Sequence, residues 1–387
     1  MAEWQTVRLG EIVKTNQSTY SPKENWQFVN YLDTGNITMN KIDEIQNINT
    51  AKDKLPSRAR RKVKTNSIIY STVRPNQLHY GIIKKQPDNF LVSTGFTVID
   101  VNYDKAVPDF IYYALTKQEV TEQLQAIAEQ SVSAYPSLKP SDIENLELML
   151  PDKKTQERIV AILRSIDEKI KENNAINNNL EQQAQAIYQQ MFIDNARSNW
   201  AEGTLSDIAD ITMGQSPSGS SYNEDGTGTI FFQGRAEFGF RFPSVRLYTT
   251  EPKRMARSND TLMSVRAPVG DLNVAHTDCC IGRGLAAIHS KSNHQSFVLY
   301  TMFSLKKQLD VFNGEGTVFG SINRNSLNDM PILIPSDDIL DEFERIVAPM
   351  DLTIRNNYDE NCRLQDIRDT LLPRLMSGEL DVSDIDI

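Results

Sequence analysis

The sequence predicts an α+β fold built twice. Two globular domains are each followed by a long helix. The two helices pair as an antiparallel, coiled-coil-like pair, about an internal pseudo-two-fold repeat. Three observations predict this. First, a seam stepping by four and three residues runs through Ile159, Leu163, Ile166, Ile170, Asn173, Asn177, Leu180, Ala184, Ile187 and Met191. Such spacing keeps side chains on one stripe of a helix. Second, the stripe recurs 184 residues later as Phe343, Val347, Met350, Ile354, Asn357, Asn361, Leu364, Arg368, Leu371 and Leu375, with two Asn at the same steps. Asn is costly in a seam and fixes register. Third, the landmarks before each helix repeat in the same order.

In chain order, Trp4 to Ile12 reads as a short helix or strand lead-in. Phe28 to Leu32, Ser67 to Val73 and Gly95 to Val101 are β-branched and aromatic runs bounded by turn residues, and read as strands. Pro108 to Glu129 has helical spacing with Pro near its start. Leu146 to Leu150 is a last strand, stopped by Pro151. The first seam helix follows, and Trp200 restarts the pattern. Trp200, Leu205 and Ile208 repeat Trp4, Leu9 and Ile12 at an offset of 196; Asn259 to Pro268 repeats Asn66 to Pro75 at 193; Ser321 to Pro335 repeats Ser137 to Pro151 at 184. Arg266 falls close to Arg74. Between these landmarks the halves diverge, and Ser18 to Lys64 has no visible counterpart in Gln215 to Arg257. The seam from Ile159 to Met191 would be roughly 50 Å long as a helix.

The chain has 387 residues, of which 39% are hydrophobic and 24% charged. Those are the proportions of a soluble globular protein. A polar N-terminus and the lack of long apolar windows lead us to expect a cytoplasmic protein with no membrane partner. Three cysteines and four histidines in no ligand pattern predict no metal site. Net charge is −10, but Lys52 to Lys64 holds seven bases against one acid. The local footprint, not the total, bears on a nucleic-acid partner.

No phosphate loop, methyltransferase tetrapeptide, nuclease element or Ser/His/Asp spacing is evident, so no catalytic residue is assigned. Gly314 to Gly320 is a glycine cluster with the wrong spacing for a dinucleotide site. Features suited to DNA are present in both halves. Arg58, Arg60, Arg61, Lys62 and Lys64 supply phosphate-neutralising charge. Arg74, Asn76, Gln77 and His79 carry side chains able to read base edges. In the second half Gln215, Ser216, Ser218 and Tyr222 form a polar loop. Gln233, Arg235, Arg241, Arg266 and Arg283 follow.

With these residues in place, the chain resembles the specificity subunit of a Type I restriction-modification system over essentially its whole length. The resemblance rests on the alternating plan, on Leu371-Leu-Pro-Arg-Leu-Met-Ser-Gly-Glu-Leu380, on Gly214-Gln-Ser-Pro-Ser218, and on Ser264-Val-Arg-Ala-Pro268 with Gly282-Arg-Gly284. It implies target-recognition domains at 1–152 and 197–336, spacer helices at 153–196 and 337–378, and an acidic tail at 379–387. It also implies a non-catalytic chain that binds double-stranded DNA, each domain reading one half of a bipartite target. Two modification subunits would dock on the helices and use S-adenosylmethionine, which this chain would not bind. Restriction subunits would join the full complex. A stand-alone DNA methyltransferase or nuclease, and a coiled-coil protein scaffold, remain as alternatives from the sequence alone. Neither the target bases, the half-site gap nor the methylated base is legible in it.

Overall fold

A computed structural model describes residues 4–131, 135–314, 320–383 and 385. Contacts divide the chain into unit 1, Met1–Lys171 with Asn361–Ile387, and unit 2, Glu172–Glu360. Each long helix contributes residues to both units.

In unit 1 the strand Gln5–Arg8 pairs antiparallel with Glu147–Leu150. A four-stranded antiparallel sheet has the order Val13–Thr15, Phe96–Val101, Ile68–Ser71, Tyr80–Ile82. A second sheet has the order Gln46–Asn49, Phe28–Leu32, Phe90–Ser93, Ala59–Lys62, and its Phe28–Leu32 and Phe90–Ser93 run parallel. Side chains on a strand alternate between faces, and the core follows that alternation. Ile68, Tyr70, Ile99 and Val101 join a core with Phe110, Ile111, Leu163 and Leu375. Ile69, Phe96 and Val98 turn the other way, toward Leu32, Ile37 and Val92. The unit is therefore layered, with helices over the first sheet and the second sheet beneath it.

The expected helix Pro108–Glu129 is two helices, Pro108–Leu115 and Gln118–Glu129. The Thr116 hydroxyl bonds back to the Tyr113 carbonyl at 3.1 Å, and Lys117 is extended. Thr side chains compete for helix carbonyls in this way. The break lets a wholly buried helix give way to one with an exposed face.

Unit 2 repeats the plan, with one strand added at the edge of its second sheet and without the small hairpin Ile37–Thr38 with Lys41–Ile42 of unit 1. Ala201–Thr204 pairs with Pro331–Ile334. A four-stranded sheet has the order Ala209–Met213, Leu285–Ser290, Thr261–Ser264, Leu272–Val274. A five-stranded sheet has the order Tyr222–Asn223, Leu247–Thr249, Thr229–Phe232, Cys279–Ile281, Met255–Ala256. Its parallel pair, Thr229–Phe232 with Cys279–Ile281, matches the parallel pair of unit 1. The structure thus supplies the counterpart of Ser18 to Lys64 that is not visible in the sequence. The sequences diverge, but both stretches build the same sheet.

The first long helix spans Lys153–Tyr188 and widens into a π-helix over Gln189–Asp194. Asp152 caps it, its carboxylate accepting the Thr155 N–H at 3.0 Å. The second spans Asp337–Met376 and stops at Gly378, whose φ of +77° suits a residue just past a helix end. Beyond it Leu380 and Val382 join the unit 1 core, so that part of the tail is tied down.

The seam serves two purposes. Its ends are domain core: Ile159 and Leu163 in unit 1, and Ala184, Phe343, Val347 and Ile354 in unit 2. Its middle is a true helix–helix seam. Within unit 2 Asn173 Nδ2 donates to Glu360 at 2.7 Å and Asn357 Nδ2 donates to Asn177 Oδ1 at 2.8 Å, so the helices run antiparallel. Asn173, Asn177 and Asn361 are buried; Ile166 is buried too, while Ile170, Leu180, Met350 and Leu364 are half-buried.

A Tyr–Asp–Arg triad marks the duplication at atomic scale. In unit 1 the Tyr113 hydroxyl donates to Asp167 at 2.7 Å, and Arg368 reaches the other oxygen at 3.2 Å. In unit 2 the Tyr300 hydroxyl donates to Asp351 at 2.9 Å, with Arg241 at 3.2 Å from that oxygen. The arginine comes from the second long helix in unit 1 and from the sheet domain in unit 2.

Candidate nucleic-acid interface

In unit 2 four chain segments converge at one end of the sheets. The Gly214 N–H donates to Leu285 and the Gln215 N–H to Ile281, both at 2.9 Å; the Gly282 N–H donates to Phe232 at 2.8 Å, and the Val265 N–H to Gly284 at 2.9 Å. Glycine is needed here for close approach. A Cβ on Gly282 or Gly284 would lie 2.8 or 2.9 Å from the Gln233 carbonyl oxygen, and one on Gly214 would run into the Gly282 carbonyl. The backbone is pinned while Gln215, Gln233, Arg235, Arg266 and Arg283 are exposed. Ser216 is partly covered, and its hydroxyl accepts the Arg283 N–H at 3.2 Å. Among the described residues Arg266 and Arg283 enter no ion pair, whereas Arg235 is paired with Asp271, which also holds Lys306 at 3.2 Å.

The remaining loop residues are less free. Tyr222 packs against Phe231, the rings tilted at 34° with centroids 4.8 Å apart, and its hydroxyl donates to the Pro217 carbonyl. Ser218 lies 2.8 Å from the Ser220 hydroxyl. Arg241 is a correction. Its place among polar loops suggests the DNA face, but its side chain is 4% exposed and lies 3.0 Å from Glu181 and 3.2 Å from Asp351. Desolvation works against its charge, but Tyr300, Asp351 and Glu181 outweigh this and hold its pKa above the usual value. Burial pushes the pKa of both carboxylates up, against the pull of Arg241.

Unit 1 gathers the corresponding ends. The Thr94 N–H donates to the Arg58 carbonyl at 2.9 Å, the Thr72 N–H to Gly95 at 2.8 Å, and the Arg74 N–H to Pro136 at 3.1 Å. Arg74 has φ +48° and its guanidinium sits 5.2 Å over the Tyr135 ring. Asn76 and Gln77 are exposed on the next turn, the Asn76 N–H bonded to Gln125. His79 is partly buried, which lowers its pKa.

The basic run is ordered. Arg60, Arg61 and Lys62 lie on the strand Ala59–Lys62. Arg58 and Arg60 turn toward solvent to differing degrees, but Arg61 has a buried Nε and a pKa lowered by desolvation. Lys62, on the same strand face as Arg60 and part-exposed, is engaged at the surface, paired with Glu24 and 5.0 Å over the Trp26 ring. Lys64 is 3.5 Å from Asp100. Asp33 lies at the same end. Burial opposes its charge, but the Thr34 N–H, the Ser93 and Tyr31 hydroxyls and Arg58 carry its pKa below the ordinary value.

Strand registers refine the correspondence. Val73 bridges Ser137 as Arg266 bridges Ser321, so the counterpart of Arg266 is Val73, and Ala267 stands where Arg74 does. Leu32 opposes Val92 as Phe232 opposes Ile281. Asp33 is then the counterpart of Gln233, and Thr94 of Arg283. Sequence reasoning misses Asp33 and Thr94. The offset shrinking from 193 to 184 is the available signal, since Ser93-Thr-Gly95 meets Gly282-Arg-Gly284 at 189. Of the Gly314 to Gly320 cluster, 315–319 lie outside the described residues.

Among the described residues no group of His, Cys, Asp or Glu is placed to hold a metal, and no helix is long and apolar enough to cross a membrane. Comparison with known proteins agrees with the doubled architecture. The Type I restriction modification DNA specificity domain matches twice, at residues 1–182 and 197–357. The Type I restriction enzyme HindI specificity subunit of Haemophilus influenzae is 26% identical, over 98% of this chain and 100% of the relative. The putative Type I restriction enzyme MjaX specificity subunit of Methanocaldococcus jannaschii is 27% identical, over 98% and 94%. The crystal structure of a Type I restriction-modification system S subunit from M. genitalium has TM-score 0.59 at 16% identity, over 97% of this chain and 96% of that one, which shows a shared fold. The chain belongs to the Type I restriction-modification DNA specificity family, one copy of the family domain lying in each half.

Proposed function

We propose that this chain is the non-catalytic, DNA-reading subunit of a cytoplasmic Type I complex, and that its two recognition domains read different halves of one double-stranded target. One observation carries the reading. Two sheet frameworks of the same topology present loops at the same end, with Asp33, Arg74 and Thr94 in one and Gln233, Ala267 and Arg283 in the other. The same scaffold with different side chains reads different bases. The long helices set the gap between half-sites and offer duplicated surfaces on which two modification subunits dock quasi-equivalently. Those subunits bring S-adenosylmethionine and the methyl-transfer chemistry, and restriction subunits join them.

The ruler role is tested by inserting one helical turn between Asn177 and Leu180 and mapping methylated sites in cells that also express the modification partner. A changed gap with unchanged half-sites is expected; an unchanged gap overturns it. The non-catalytic role is tested by giving the purified chain S-adenosylmethionine and target DNA. No turnover is expected, and methylation without a partner overturns the reading.

A further inference from the structure

Arg241 follows Gln233, the residue just past the sheet strand Thr229–Phe232 at the candidate interface, by eight residues. The chain between them is irregular beyond the turn Arg235–Glu237. Besides the Glu237–Arg246 ion pair and the Val274 N–H donated to the Arg241 carbonyl at 2.8 Å, it is held at three places. Arg235 pairs with Asp271. Gly239 exchanges hydrogen bonds with the buried Asn273 side chain, at 2.9 Å and 3.3 Å. Arg241 and Phe242 then plug into the long helices. The Arg241 guanidinium meets Glu181 of the first helix at 3.0 Å, Asp351 of the second at 3.2 Å and the Tyr300 hydroxyl at 3.2 Å. Phe242 packs on Tyr358 at 4.9 Å and beneath Arg355 at 5.5 Å.

Among the described residues, the corresponding segment of unit 1 has no such strut. After Phe28–Leu32 the chain makes a small hairpin, Ile37–Thr38 with Lys41–Ile42. Its backbone bonds to Leu78 at 2.9 Å and Tyr80 at 2.8 Å, within the sheet domain. The carboxylate equivalent to Asp351, Asp167, takes its arginine from the helix residue Arg368. A buried guanidinium between two carboxylates is a poor way to gain stability, since apolar residues of similar volume often do as well or better. What such a cluster secures is one geometry.

Resting on the function proposed above, we infer that Arg241 is a positioning residue for target reading by unit 2. It fixes the segment that presents Gln233 and Arg235 to the packing of the helix pair. Reading by unit 2 is therefore sensitive to how the two helices are held together, and reading by unit 1 is not. Arg241 touches no base.

The test uses the complete chain assembled with its modification subunits, with methylated sites sequenced genome-wide. In Arg241→Met, methylation at sites with an intact unit 1 half and a one-base error in the unit 2 half rises roughly tenfold, the scale of one lost base discrimination. The unit 1 half stays as strict as in wild type. Arg241→Lys, which still reaches one carboxylate, falls between. If Arg241→Met gives no cooperative melt, Tyr300→Phe replaces it; it removes one bond to Arg241 and should relax the same half more weakly. A folded variant that reads both halves like wild type overturns the proposal. So does equal relaxation of both halves, the mark of a merely destabilised protein. A wild-type complex with no bipartite target overturns the function reading itself and this inference with it.

Discussion

Single carboxylates and glycines settle much of the local structure. Asp152 caps the first long helix through the Thr155 N–H and hydroxyl, and these bonds hold its pKa below the ordinary aspartate value. A lowered carboxylate contributes stability above its unfolded pKa and loses it as pH falls through the folded value. Asp152→Ala should cost about 1 kcal/mol at pH 7, typical of a lost cap. Wild type and variant should converge in urea melts once the pH falls below the folded pKa of Asp152. Gly282 is legible as part of a motif, but not its reason, which is contact with the Gln233 carbonyl. Gly282→Ala must push that carbonyl away, and we expect a loss of discrimination in the unit 2 half-site without loss of helix content by circular dichroism. Arg241 is the residue least legible in the sequence. An arginine in a polar loop looks the same whether it meets phosphate or a buried carboxylate pair, because the acids that claim it, Glu181 and Asp351, are distant in sequence.

At the scale of elements, the long helices are the most legible. Burial repeats along each helix with a fixed period, so it leaves a trace in sequence without knowledge of the partner. What the period conceals is a division of labour, with apolar seam ends entering domain cores and the Asn middle joining helix to helix. The Asn177–Asn357 pair gives a clean test. Asn177→Leu leaves the half-buried Asn357 amide without its acceptor and should cost about 1 kcal/mol. Adding Asn357→Leu should recover most of that loss in a double-mutant cycle by chemical denaturation, while weakening the choice of register. The second sheets are the least legible elements. Their strands are as short as Met255–Ala256, and they are held by pairings far apart in sequence, such as Phe231 with Cys280. Local pattern carries little of that information.

At the scale of the whole chain, duplication is legible from matched landmarks, but its completeness is not. The same strand order recurs where the two sequences share no pattern, because a sheet tolerates any residues that alternate suitably between its faces. The structure also divides the basic run. Arg58 and Arg60 remain candidates for binding phosphate, while Lys62 is engaged with Glu24 and Trp26. In salt titrations of DNA binding by the assembled complex, Arg58→Ala and Arg60→Ala should each flatten the log–log slope by about 0.9 for every phosphate no longer neutralised. Lys62→Ala should act chiefly on stability. The central claim is that two copies of one fold read two separate halves of a target. Sequencing methylated DNA from cells that express the modification partner with wild-type chain or Arg283→Ala tests it most directly. The account predicts a bipartite wild-type motif in which Arg283→Ala relaxes one half and leaves the other and the gap intact. A single uninterrupted motif, or equal change in both halves, would contradict it.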